Sequence, residues 1–216
     1  LVADVLTANG IKVYLFESFR PTPELSFAVR HLSCDAGIVL TASHNPPMYN
    51  GYKVYWNDGA QIVPPQDGEI INEVNNTKVN DIKFQGNDEL ITIIGKEVDE
   101  AFIDASVKNG SFTSEGKNDI KIVFTSIHGT SVAITPKAFE KAGFTQVHQV
   151  PEQAIPSGDF PTVNSPNPAE PEALPMAVDL ANKIDADVVI GTDPDADRVG
   201  VATRNNEGEF VFSNGH

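Results

Sequence analysis

Cations are scarce in this chain: 15 Lys and Arg stand against 30 Asp and Glu, a formal net charge of −15 over 216 residues. So acidic a surface repels nucleic acid and anionic membranes, and neither is an expected partner. It also repels anionic substrates, unless a bound cation or a local cluster of donors offsets the field. Cysteine is almost missing. Cys34 alone excludes an internal disulfide framework, and its place beside an apolar run reads as a reduced, near-core thiol, which fits a cytoplasmic compartment. No apolar run reaches the roughly 18 residues of a membrane span, and no signal peptide is visible. An initiating Met is lacking too: Leu1 opens inside what reads as a helix, so the natural N-terminus is expected upstream. What remains is ordinary globular composition, 40% hydrophobic and 21% charged, enough for a real core in one or two domains. A monomer is favoured.

The pattern alternates strand and helix. Residues 1–10 carry apolar side chains at helical spacing and end on Asn9-Gly10, a stop signal. Ile11 to Phe16 reads as a buried strand, Thr22 as an N-cap with Pro23 as first helical residue, and Pro23 to Leu32 as a helix. Ala36 to Leu40 is a second short strand, and the alternation predicts parallel pairing with the first. Tyr52 to Trp56 and Ala60 to Val63 flank Asn57-Asp58-Gly59 as a hairpin. Asn75 to Glu89 is polar and predicted irregular, and Glu97 to Asn109 helical. The Gly-containing polar stretch from Ser111 to Asp119 reads as a domain boundary. A second unit follows, with strands at Ile120–Thr125, Phe144–Val150 and Asp187–Gly191 and helices at Thr130–Ala142 and Glu172–Lys183. The fold class is therefore α/β, two consecutive three-layer domains with mixed sheets.

Two strands empty into polar loops, where ligands bind in open α/β sheets. The first loop is Thr41-Ala42-Ser43-His44-Asn45-Pro46. A serine that carries a covalent group needs a base, a metal or donors nearby. His44 is adjacent and Lys53 lies at the foot of the loop. Taken alone, the segment reads first as a surface turn whose Ser, Asn and Pro serve geometry.

The second loop is Asp193-Pro194-Asp195-Ala196-Asp197-Arg198. In an extended chain its three carboxylates share one side, with Cα atoms about 6.6 Å apart. Three like charges so placed call for a cation, and carboxylate oxygens suit Mg²⁺ where phosphate is also a ligand. Arg198 offers a fork for phosphate oxygens. An EF-hand is excluded, because Arg198 stands where the loop needs Gly and Arg204 where it needs Glu. An aspartate-nucleophile phosphatase of the haloacid dehalogenase type also places Asp-x-Asp after an apolar strand, but needs further residues downstream, and only eighteen residues follow Arg198. A solvated acidic turn without a ligand remains open.

Together the loops are more specific than either alone. TASHNPPMYNGYKVY resembles the active-site serine loop of the α-D-phosphohexomutase family, and GTDPDADR resembles its metal-binding loop. Pro21-Thr22-Pro23, Thr125-Ser126-Ile127-His128-Gly129, Phe160-Pro161-Thr162-Val163 and Pro166-Asn167-Pro168 agree, so the similarity spans nearly the whole chain. The resemblance implies a phosphoglucomutase/phosphomannomutase-type isomerase that interconverts sugar 1-phosphates and 6-phosphates through a phosphoserine and a bound bisphosphate. It implies Ser43 as phosphoserine and metal-contacting group, and Asp193, Asp195 and Asp197 as Mg²⁺ ligands. Lys53 would be the candidate general acid/base, His44 an assistant in proton transfer, Arg198 a phosphate contact, and His128 a substrate-binding candidate. Sugar phosphates are the implied partners, with a glucose 1,6-bisphosphate-type activator.

Family members are longer, with four domains. The resemblance places domain 1 at residues 1–115, domain 2 at 116–210 and the opening of a third, sugar-selecting domain at 211–216. The expectation is a fragment that binds Mg²⁺ with little mutase activity of its own. A phosphatase and a non-enzymatic metal-binding module are the competing classes.

Overall fold

The computed structural model describes residues 1–111 and 115–213. The boundary expected at 111–119 and the third-domain opening at 211–216 therefore fall partly outside the described residues.

The first domain opens with α1 (Val2–Ala8), which ends where Gly10 takes a left-handed φ of 79°. Then come β1 (Val13–Phe16), α2 (Thr22–His31), β2 (Ala36–Leu40), β3 (Tyr52–Trp56), α3 (Gln66–Asn76), β4 (Ile91–Ile94) and α4 (Lys96–Asn109). The predicted parallel pairing of the first two strands is not observed. β2 pairs antiparallel with β3, Val39 opposite Lys53, because the eleven-residue serine loop turns the chain straight back. β1 takes its parallel partner from β4, which arrives only after a long crossover. Nor is β1 buried: Tyr14 and Leu15 are exposed, since a two-stranded sheet leaves little to cover them. The hairpin's second arm shrinks to one bridge, Tyr55 to Gln61, after a turn at Gly59. Helix α3 was not anticipated, and none of its residues is buried.

The second domain holds a five-stranded sheet, order β6-β5-β7-β8-β9, made of β5 (Lys121–Thr125), β6 (Gln146–Gln149), β7 (Val188–Thr192), β8 (Val199–Arg204) and β9 (Phe210–Ser213). The first three run parallel and the last two antiparallel, so the sheet is mixed. Adjacent residues of β5 face opposite sides. Val123 meets Ala177 and Ala181 of α6 (Pro175–Ile184), while Phe124 meets Phe139 of α5 (Thr135–Lys141), giving three layers. The predicted helix from Thr130 is broken into a 3-10 turn, Thr130–Ala133, and α5. Pro136 lacks the N–H an unbroken helix would use. In the same way Pro175 sets the start of α6, later than predicted. Residues 211–213 belong to the outer strand of this sheet, where Phe212 faces Ala202 across the β8–β9 hairpin. Among the described residues no helix is long and apolar enough to cross a membrane. The domains meet where α4 packs on α5, with an ion pair between Asp104 and Lys141.

Candidate functional site

β2 of the first domain and β7 of the second end at one place. The serine loop leaves β2 and is closed by Thr41 N–H donating to the Gly51 carbonyl at 3.1 Å. Gly51 must be glycine: a Cβ there would lie 2.0 Å from that threonine's oxygen. Thr41 Oγ1 accepts from the Ser43 N–H at 2.8 Å, and Ser43 sits at a left-handed φ of 54°. A non-glycine residue in that region costs on the order of 1 kcal/mol and persists only where its surroundings hold it.

The hydroxyl so presented crosses to the other domain. Ser43 Oγ donates to Asp193 Oδ2 at 2.8 Å, 150 residues away in sequence, and His44 Nδ1 lies 3.1 Å from the same oxygen. One hydroxyl has one proton, so with that proton on Asp193 the His44 Nδ1–H is the donor.

The metal loop is a turn, not the extended alternation predicted. Ala196 takes a φ of 58°, and the Asp193 carbonyl accepts from Ala196 N–H at 3.0 Å. The turn folds the three carboxylates inward, so one oxygen each of Asp193, Asp195 and Asp197 lies within 4.8 Å of the others. Asp193 is fully buried and accepts the Arg198 N–H on Oδ1 at 2.9 Å. Burial pushes its carboxyl up to about 7, against the Ser43 hydrogen bond and helped by the charge of Asp195. Burial also works against the charge of Asp195, but Lys53 Nζ, 2.8 Å from Oδ2, wins and holds it below the usual carboxylate range. Lys53 bridges on to Asp197 Oδ2 at 3.1 Å. Desolvation alone would lower the Lys53 ammonium, yet the two aspartates raise it. Asp195 Oδ1 is buried with no hydrogen-bond partner among the described residues. A buried carboxylate oxygen left open beside two further carboxylates suits a hard divalent cation.

Of the residues singled out from sequence, Ser43, His44, Lys53 and the three aspartates converge. Arg198 lies at the same loop, its side chain exposed and without a polar partner among the described residues, so its guanidinium is free for an anion. His128 stands differently. It is buried, with Nδ1 3.0 Å from the Ile155 carbonyl and Nε2 2.9 Å from Thr162 Oγ1. Both ring nitrogens are bonded inside the second domain, which gives His128 a structural role in this arrangement.

Sequence reasoning missed the supports of the metal loop. Thr130 donates to the Pro194 carbonyl through N–H at 2.8 Å and Oγ1 at 2.9 Å. Gly129 permits that approach, since a Cβ would stand 2.5 Å from Pro194 Cα. Thr22, read as a helix cap, makes no cap bond and is turned to the metal loop instead. The only signal was composition, in Pro21-Thr22-Pro23 and in the stretch ending at Gly129.

Comparison with known proteins agrees. The family described as phosphoglucomutase/phosphomannomutase, alpha/beta/alpha domain I matches residues 1–81, and its domain II matches residues 100–208. A phosphoglucomutase of Staphylococcus epidermidis is 41% identical over 222 residues, covering 100% of this chain and 40% of that protein. One from Staphylococcus aureus is 41% identical over 220 residues with the same coverage. A phosphoglucomutase/phosphomannomutase family structure from Burkholderia thailandensis superimposes with a TM-score of 0.72 at 27% identity, covering 97% of this chain and 43% of that one. A Thermus thermophilus structure designated a phosphomannomutase gives 0.79 at 27%, covering 97% and 45%. The chain thus spans 40% of the length of the curated relatives it matches.

Proposed function

The chain belongs to the phosphoglucomutase/phosphomannomutase family, and from that premise we propose that it supplies the phosphoryl-transfer centre of a sugar-phosphate mutase, with Ser43 as the phosphoryl carrier. The observation that carries this reading is the 2.8 Å hydrogen bond from Ser43 Oγ to Asp193 Oδ2. It sets a carrier hydroxyl on the edge of a three-carboxylate cluster contributed by a different domain.

In the forward transfer the bond from phosphorus to Ser43 Oγ breaks and one from phosphorus to a sugar hydroxyl oxygen forms. The sugar proton is released and Oγ regains one. The reverse transfer, from the other end of a bisphosphate, restores phosphoserine. Such chemistry asks chiefly for positioning and charge stabilisation. Asp193, Asp195 and Asp197 would hold Mg²⁺, which when bound offsets the charge of the phosphoryl oxygens. His44 Nδ1, 3.1 Å from Oγ, is the neighbour placed to exchange a proton with it. Lys53 is kept protonated by Asp195 and Asp197, so in this arrangement it donates to an incoming hydroxyl or phosphate oxygen. Arg198 adds a free guanidinium fork for phosphate. A glucose 1,6-bisphosphate-type activator would load the serine, and a cytoplasmic location fits the lone free thiol of Cys34.

The test is intact mass and peptide mapping before and after incubation with glucose 1,6-bisphosphate and Mg²⁺. One phosphoryl group on Ser43, absent in Ser43→Ala, is the expected result. A phosphoryl group on Asp193 instead would make the chain a phosphatase-type enzyme and end the mutase reading.

A further inference from the structure

Thr22 is almost fully buried at the first turn of α2, 173 residues from Asp195 in sequence. Its N–H donates to the Asp195 carbonyl at 2.8 Å. Its Oγ1 donates to Asp195 Oδ2 at 3.3 Å. One residue of the first domain therefore holds both the main chain and the side chain of one residue in the metal loop. No helix-capping bond competes, because the preceding Pro21 occupies the cap position and the Thr22 hydroxyl makes no bond to its own helix.

The two oxygens of Asp195 differ as a result. Oδ2 carries Thr22 Oγ1 and Lys53 Nζ, while Oδ1 is buried and unpartnered among the described residues. An aspartate carboxylate otherwise turns through a broad, roughly two-fold torsion, so its orientation must be imposed from outside. Lys53 cannot impose it alone, because its flexible ammonium is shared with Asp197. Thr22 is short, β-branched and stiff, and it lies on a helix.

We infer that Thr22 is a positioning residue of the phosphoryl-transfer centre: from the first strand–helix turn of the first domain it fixes the Asp195 carboxylate so that Oδ1 is the oxygen offered to a divalent cation. This role rests on Asp195 being a ligand of that cation, as proposed above. It makes the cation affinity of the second domain depend on a hydroxyl of the first, and it ties α2, whose C-terminal end leads into the serine strand, to the metal loop.

The test is Mg²⁺ titration of the 216-residue chain by calorimetry, with thermal unfolding in parallel. Thr22→Val keeps the shape and the N–H bond but removes the hydroxyl, and Thr22→Ser keeps the hydroxyl. Loss of a group that orients a metal ligand typically weakens affinity by about 10-fold or more. The expected result is Mg²⁺ binding about tenfold weaker in Thr22→Val at unchanged melting temperature, with Thr22→Ser within about twofold of the parent. Equal affinity in Thr22→Val and parent overturns the inference while leaving the metal reading intact. Should Thr22→Val lose its cooperative transition, Thr22→Ser decides: a tenfold loss there assigns the effect to the methyl group and overturns the role. No Mg²⁺ binding by the parent, with Asp195→Asn indistinguishable from it, removes the metal reading itself.

Discussion

The two halves of the site rest on unequal foundations. The aspartate loop leaves β7, an interior strand of a five-stranded sheet whose Val123, Phe124, Val189 and Ala202 are all 0% exposed. The serine loop leaves β2, one of two strands in a separate pair, and the first domain's other pair shows Leu15 and Ile93 to solvent at 43% and 59%. Small sheets exposed on one face are marginal by themselves. The comparison teaches that the aspartate loop is held mostly by its own domain, through Thr130, Gly129 and the turn at Ala196, with Thr22 the one hold on its main chain from the first domain. The serine is held in large part by what reaches across: Ser43 to Asp193, Lys53 to Asp195 and Asp197, and Thr22 to Asp195. In that sense the second domain templates the first.

The strongest way to break the contrast is in the cores. Phe124→Ala removes a fully buried ring stacked edge-on against Phe139 at 6.1 Å. It should cost about 3–5 kcal/mol by denaturant unfolding. Leu15→Ala, on the exposed β1, should cost less than about 1 kcal/mol. Equal costs would mean that the first sheet is covered in solution and that the foundations are alike.

Cation binding should widen the gap next. At a concentration of Mg²⁺ one hundred times its dissociation constant, the transition that unfolds the aspartate loop gains about 2.7 kcal/mol. Asp193→Asn should abolish the gain while leaving β1 and β2 unaffected, and amide exchange resolved by segment checks both. A gain spread evenly over the two domains would show that the cross-domain bonds couple them into one unit.

A third effect belongs to the seam itself. Glu24 of α2 is fully buried, and neither carboxylate oxygen has a hydrogen-bond partner within bonding distance among the described residues. Burial, with the Asp99 carboxylate beside it, pushes Glu24 up to about 8, while Arg20 and Lys137 pull the other way. Asp99 goes the other way: burial raises it too, but its hydrogen-bonded ion pair with Arg20, at 2.7 Å, helped by the Glu24 carboxyl and by Lys137, keeps it below the ordinary range. The raised group binds its proton more tightly when folded. Its contribution is therefore complete below pH 4.5 and is lost as pH rises through about 8. Glu24→Gln cannot titrate, so above pH 8 it should be more stable than the parent by about 1–3 kcal/mol, the cost of a buried charge without a partner. Asp193 is also raised, but it titrates in both proteins and cancels in the difference. Parallel melting curves from pH 5 to 9 would sink the assignment.

How much of this was legible beforehand follows local chemistry. The strand at Ala36–Leu40 matched residue for residue, because a short apolar run bounded by Asp35 and a polar loop leaves no other choice. The convergence of Ser43 with Asp193 was legible only through resemblance to a family, since nothing local links residues 150 apart. Partner choice in the first domain was not legible: β1 pairs with β4 rather than β2, and pairing of distant strands is decided by topology. The contacts of His128 were not legible either, because its two nitrogens meet Ile155 and Thr162, 27 and 34 residues away in sequence. Thr22 misled, since Pro-Thr-Pro before a helix reads as a cap in isolation.

The smallest effect sharpens the comparison most cleanly, because it separates two glycines of the same domain by what surrounds them. Gly68 lies inside α3, a helix with no buried residue, and a Cβ there meets nothing within 4 Å. Gly68→Ala should therefore stabilise by about 0.5–1 kcal/mol, through lower backbone entropy in the unfolded chain and better helix propensity. Gly51 closes the serine loop, and a Cβ there collides with backbone at 2.0 Å. Gly51→Ala should open the loop and release Ser43 from its left-handed φ of 54°. Its readout is the Ser43 phosphorylation level after bisphosphate treatment, which should fall while that of Gly68→Ala stays at the parent value. If Gly51→Ala were phosphorylated as fully as the parent, the serine's strained backbone would be incidental. The cross-domain bond to Asp193 alone would then suffice to present it.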